Sequence, residues 1–139
     1  MNWLLWALLS AVFAAGTAIL AKLGVAGIDS NLATAIRTSI VCVFAWTLVV
    51  ALGQQHHLRE IQPRTWMFLT LSGLCTGASW LCYFRALQLG QASRVAPVDK
   101  LSVVLVILFA AIFLGEKLNT ATIGGGLLIT AGVVWIALA

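Results

Sequence analysis

The sequence predicts an all-α membrane protein, a five-transmembrane-helix bundle with almost nothing outside the bilayer. Three observations lead there. Hydrophobic residues make up 62% of the 139 residues and charged residues only 9%, against roughly 25% charged in a typical soluble domain. A water-facing surface cannot be built from so few charges, so the solvent is mostly lipid. The apolar residues gather in five runs, each near the roughly 20 residues that a helix needs to cross the hydrocarbon core. These runs are continuous rather than alternating, which excludes a transmembrane β-barrel.

The first span covers about 2–23. Its start, Met1-Asn2-Trp3, lacks the basic residues of a secretory leader, so the run is read as a helix of the protein. The second span, about 32–52, follows a turn with two glycines and three N-capping residues, Asp29, Ser30 and Asn31. The third, about 65–87, follows the longest polar stretch, 53–64, and has Pro63 just ahead of it. The fourth covers about 95–114. Pro97 falls in its first turn, where a missing N–H costs little. The fifth runs over about 121–139 with Asn119 or Thr120 as its cap. No linker holds a second domain, so residues 1–139 form one.

Several function classes are disfavoured by the same reading. The net charge is +4, but the eight basic residues are scattered singly between apolar runs rather than clustered as a nucleic-acid patch. Cys42, Cys75 and Cys82 lie inside apolar runs without a CxxC pattern, and His56 and His57 are adjacent, so no metal or cofactor is called for. There is no phosphate-binding loop and no nucleophile elbow, so an enzyme is not expected.

Small residues mark candidate contact faces, because close backbone approach drives helix association in lipid. Gly73 and Gly77 form a GxxxG pair, Gly124-Gly125-Gly126 lie in helix five, and Ser10, Ala14, Ala18 and Lys22 step by four along helix one. Trp3, Trp6, Trp66 and Trp135 fit an interfacial aromatic belt.

The informative polar residues are those inside or at the ends of the spans. A charge at the bilayer centre costs roughly 2.5–3.5 kcal/mol on insertion scales. Lys22, Arg37, Arg85 and the Asp99-Lys100 pair all fall toward the side opposite the N-terminus. Two readings stand: side chains that reach the headgroups, or one polar pocket. The second is favoured for Arg37 and Asp99, which would relieve each other's desolvation. Trp80, Tyr83, Phe84 and Leu87 form a helical cluster beside Arg85, either lining a substrate site or serving as interfacial belt or packing.

Three stretches resemble the EamA-type domain of the drug/metabolite transporter superfamily. They are Gly16-Thr17-Ala18-Ile19-Leu20-Ala21-Lys22-Leu23-Gly24; Tyr83-Phe84-Arg85-Ala86-Leu87-Gln88-Leu89-Gly90 with the following Gln91-Ala92-Ser93-Arg94-Val95-Ala96-Pro97-Val98; and Phe113-Leu114-Gly115-Glu116-Lys117-Leu118. The resemblance implies a secondary transporter, often an exporter of small metabolites, with a cytoplasmic N-terminus. Typical members have ten helices in two repeats, and this chain has five. An odd helix count makes tandem copies inverted, and inverted repeats around a midplane site are a common basis of alternating access. One five-helix copy would need a partner for that arrangement. The loops give little orientation bias, with Arg59, Arg64 and Lys117 on one side and Lys22 and Arg94 on the other, which is compatible with an antiparallel homodimer.

The expectation is a homodimeric transporter, an exporter of a small organic metabolite, in the bacterial inner (plasma) membrane. Its substrate would meet Arg37, Trp80, Tyr83, Arg85 and Asp99, with Lys22 and Lys100 nearby, and the cationic excess suggests an anionic or zwitterionic solute. The alternatives are a non-transporting subunit paired with another half-size protein and a flippase for a lipid-linked metabolite.

Overall fold

A computed structural model describes residues 2–139. It contains six α-helices and one 3₁₀ helix: α1 (Trp3–Gly24), α2 (Ser30–Ala51), the 3₁₀ helix (Gln54–Glu60), α3 (Pro63–Leu89), α4 (Ala92–Asp99), α5 (Ser102–Phe113) and α6 (Thr120–Leu138). Among the described residues there is no strand. Five stretches are long and apolar enough to cross a membrane: α1, α2, α3, the pair α4–α5 taken together, and α6. This is an integral membrane protein. Large apolar side chains such as Trp3, Phe113 and Leu138 are at least 77% exposed, a surface that only lipid or another helix can cover.

The helix starts follow from capping chemistry. Asp29 is extended, and its Oδ1 accepts from the N–H groups of Asn31 (2.8 Å) and Leu32 (3.2 Å). That cap starts α2 at Ser30, two residues earlier than expected. Asn119, rather than Thr120, caps α6 by accepting from the Thr122 N–H at 2.7 Å. Pro63 occupies the first position of α3, where its missing N–H would be unpaired anyway. Gly115 adopts φ +67° after α5 and lets the Glu116 N–H reach back to the Ala110 carbonyl at 3.2 Å.

The fourth span departs from expectation. The Gln91 carbonyl accepts from Arg94 and Val95, so the helix begins at Ala92 and not at Val95. Pro97 is therefore interior, not in the first turn, and the Ser93 carbonyl loses the N–H that would complete its bond. Beyond it, the N–H groups of Lys100 and Leu101 bond three residues back, to Pro97 and Val98, each at 3.0 Å. The span is thus two helices, α4 and α5, joined by a tightened turn at Lys100-Leu101.

The chain divides into two compact units. One is Leu20–Leu89, whose buried residues are Ala21, Val25, Ser30, Ala33, Thr34, Phe84 and Leu87. Here α2 and α3 form an antiparallel pair joined by the 3₁₀ helix. The other unit comprises residues up to Ile19 together with Gly90–Ala139. Its buried positions are Ala18, Gly126 and Val133, and α6 packs on α4 and α5.

The small-residue faces are only partly used. A Cβ added at Gly126 would meet Ile107 Cδ1 at 3.6 Å, an ordinary contact, whereas one at Gly73, Gly77, Gly124 or Gly125 would meet nothing within 4 Å. In helix one Ala18 and Ala21 are buried while Ser10 and Ala14 are exposed.

Candidate functional site

Arg37 is the eighth residue of α2, so it lies about 10 Å along the helix at 1.5 Å per residue. It is half-buried. Its guanidinium carbon sits 4.4 Å from the centroid of the Trp80 ring and 5.5 Å from that of Phe84. Trp80 and Phe84 are four residues apart on α3 and so present their rings on one helix face. Phe84 is 3% exposed, and Tyr83 meets it edge to face at 6.5 Å and 68°. A cation over aromatic rings gains about 0.5–2 kcal/mol, less than the roughly 2.5–3.5 kcal/mol cost of placing Arg in a span. The rings hold the charge without fully offsetting it.

The end of α3 is tied to the turn before α2. Lys22 Nζ donates to the Leu87 carbonyl at 2.5 Å, one of the last four carbonyls of α3, which have no partner within the helix. A cation there also meets the negative end of the helix dipole. Gln88 Nε2 donates to the Ile28 carbonyl at 2.6 Å, and Arg85 donates to Gln88 Oε1 at 3.1 Å.

An open groove of about 600 Å³ runs along the same two helices. Its lining includes Asn31, Thr34, Thr38, Ser39 and Cys42 of α2 and Gly77 and Leu81 of α3. The three hydroxyls donate to carbonyls of their own helix: Thr34 to Ser30, Thr38 to Thr34 and Ser39 to Ala35, at 2.7–3.1 Å. Each has spent its proton and keeps only acceptor capacity. Arg37, Trp80 and Phe84 are not among the residues that line the groove.

Of the residues predicted for the site, Arg37, Trp80 and Tyr83 come together around Phe84. Arg85 and Lys22 secure the end of α3. Asp99 and Lys100 belong to the other unit and pair with each other at 3.4 Å. Trp80 is half-buried and stacked, whereas Trp3, Trp6, Trp66 and Trp135 are all exposed. Phe84 was grouped from the sequence with Trp80, Tyr83 and Leu87, whereas Gln88 and the groove were not singled out. The four-residue step from Thr34 to Thr38 beside a charge was the available signal. Among the described residues no group of three His, Cys, Asp or Glu side chains is placed to hold a metal ion.

The family model described as "EamA-like transporter family" matches residues 1–138. The chain belongs to the EamA-like transporter family. It is also 58% identical over 137 residues to a Sinorhizobium sp. protein named "Uncharacterized transporter in cobO 3'region", a match spanning 98% of this chain and 96% of that relative. No solved structure matches. The family and the relative's name both support a membrane transporter. The stretches that carried the resemblance bear structural tasks here: Lys22 and Leu87 meet directly, and Gly115 makes the turn after α5.

Proposed function

We propose that this EamA-like protein exports a small organic metabolite across the bacterial inner membrane, working as a homodimer. The observation that carries the reading is Arg37, held a third of the way into α2 on the rings of Trp80 and Phe84. An ionisable residue within a span is by default a candidate for function. In this reading Arg37, Trp80 and Tyr83 contact the solute. Asp99, beside the interruption between α4 and α5, carries a proton that couples export to the gradient.

The helix count supports the homodimer. Five spans give one copy of what an inverted-repeat transporter uses twice. The Sinorhizobium relative, matched over 96% of its length, likewise has room for one such set and not two. A second copy inserted in the opposite sense would complete the pair.

Proteoliposomes of the purified protein test the reading. Efflux of a metabolite pool should require the protein and a pH gradient, and Asp99→Asn should abolish the gradient dependence. Reporter tags on the C-terminus should appear on both sides of the membrane. Tags on one side only would sink the antiparallel homodimer. Efflux from a protein that is monomeric in the bilayer would sink the homodimer of either sense.

A further inference from the structure

The two long helices of the unit Leu20–Leu89 end differently. The Leu87 carbonyl, in the last turn of α3, accepts from the ammonium of Lys22. The last turn of α2 holds no basic residue. Beyond it the Gly53 N–H turns back to the Val50 carbonyl at 3.0 Å, so the Val49 carbonyl lacks the N–H four residues on that would complete its bond. The negative end of α2 therefore favours a cation from outside the helix.

A crevice of about 390 Å³ opens at that end, between α2 and the 3₁₀ helix. Its polarity runs in one direction. Ala45, Trp46 and Val49 line it from the span, and Gln54 and His57 line it from the loop. Gln54 and His57 are three residues apart in a 3₁₀ helix, so they share a face. Glu60, three residues further on, meets His57 Nδ1 at 3.0 Å. A carboxylate cannot donate, so Nδ1 carries the proton and Nε2 of the neutral ring is left as an acceptor. The loop side thus offers acceptors beside the negative end of a helix, and the span side offers apolar wall.

We propose that this crevice seats a phospholipid with an ethanolamine headgroup. Its ammonium donates to His57 Nε2 and Gln54 Oε1 at the end of α2, and the first part of an acyl chain lies along Trp46 and Val49. The setting favours a lipid over a free amine: α2 is long and apolar enough to cross the membrane, so a crevice at its end meets lipid where headgroup and chain join. The headgroup follows from the acceptors. Choline carries the same charge but has no N–H to donate, and a glycerol headgroup brings no cation to the helix end. The seat is independent of what the protein transports.

Quenching of Trp46 fluorescence by brominated lipid tests the assignment. The full-length protein is placed in phosphatidylcholine nanodiscs that carry a minor fraction of one dibromostearoyl phospholipid, with an ethanolamine, choline or glycerol headgroup. The Trp46 signal is the difference between wild type and Trp46→Phe, a change at a residue that is 49% exposed. The ethanolamine lipid should quench as though its local fraction were about fivefold above that of the choline lipid, the equivalent of one net hydrogen bond. The glycerol lipid should match the choline lipid. His57→Phe keeps a ring but removes the acceptor, at a side chain 73% exposed, and should bring the ethanolamine lipid down to the choline level. The proposal is overturned if the three lipids quench equally, if the glycerol lipid leads, or if the preference survives in His57→Phe. It is also overturned if no lipid quenches Trp46, which would mean that protein, such as a second copy, covers the crevice. Relief of the quenching by soluble phosphoethanolamine would assign the acceptors to a free amine and overturn the lipid seat.

Discussion

The second and fourth spans hold their charges in different ways. In α2 the helix is continuous and Arg37 is held by a different helix, through the rings of Trp80 and Phe84. In the fourth span the helix is interrupted, and Asp99 and Lys100 hold each other across one peptide bond, with side chains 35% and 57% exposed. The first charge depends on tertiary packing and costs nothing in backbone hydrogen bonds. The second is locally neutralised but lies where Pro97 and a tightened turn have already weakened the helix. A charge held by packing makes a rigid binding point, whereas a pair at a break sits where the backbone deforms at least cost. The proposed roles, Arg37 for the ligand and Asp99 for the proton, follow that difference.

The comparison is broken most severely by Phe84→Ala. Phe84 is 3% exposed and supports Arg37, Tyr83 and the helix contact together. The change should cost about 3 kcal/mol, the low end for a buried Phe truncated to Ala, seen as reduced stability in a denaturant titration. A loss below about 1 kcal/mol would mean that the packed side of the comparison is wrong.

Pro97→Ala acts on the other side. It restores an N–H for the Ser93 carbonyl and should stabilise the fourth span by about 1 kcal/mol, the worth of one hydrogen bond. Hydrogen exchange should slow at Lys100 and Leu101. Unchanged exchange there would show that the turn arises from something other than the proline.

Trp80→Phe sharpens the packed side. It keeps an aromatic face but a weaker one for a cation, and should cost about 0.5 kcal/mol in the same denaturant titration. Lys100→Gln should matter least. An exposed pair between neighbours is worth about 0–1 kcal/mol, and no change in melting temperature beyond about a degree is expected. A large loss would show that Asp99 depends on Lys100 for more than local charge.

Much of this protein was legible in the sequence. The five spans fall within a few residues of where the apolar runs place them, because span length is set by bilayer thickness and not by the partner helices. The motifs of the resemblance were also readable, since they are contiguous in the chain. The interruption of the fourth span was missed over three residues. Starting the helix at Val95 makes Pro97 harmless, whereas starting it at Ala92 makes the same proline interior, and a run of apolar residues does not distinguish the two starts. Arg37 was singled out by its cost in lipid, while the rings of Trp80 and Phe84 that lie against it became visible only in the structure. Gln88 gave no signal of its own, because it looked like any helix-end amide.

The sequence by itself determined that this chain lives in lipid, how many times it crosses and which family it belongs to. These depend on composition, run length and contiguous motifs, which the chain carries locally. Only the tertiary structure decided that Arg37 lies on Trp80 and Phe84, 43 and 47 positions away, and that Lys22 closes the end of α3. Such contacts depend on which helix faces which, and in lipid, where apolar surface does not drive helices together, that choice is made by close packing and polar contacts that no single span contains.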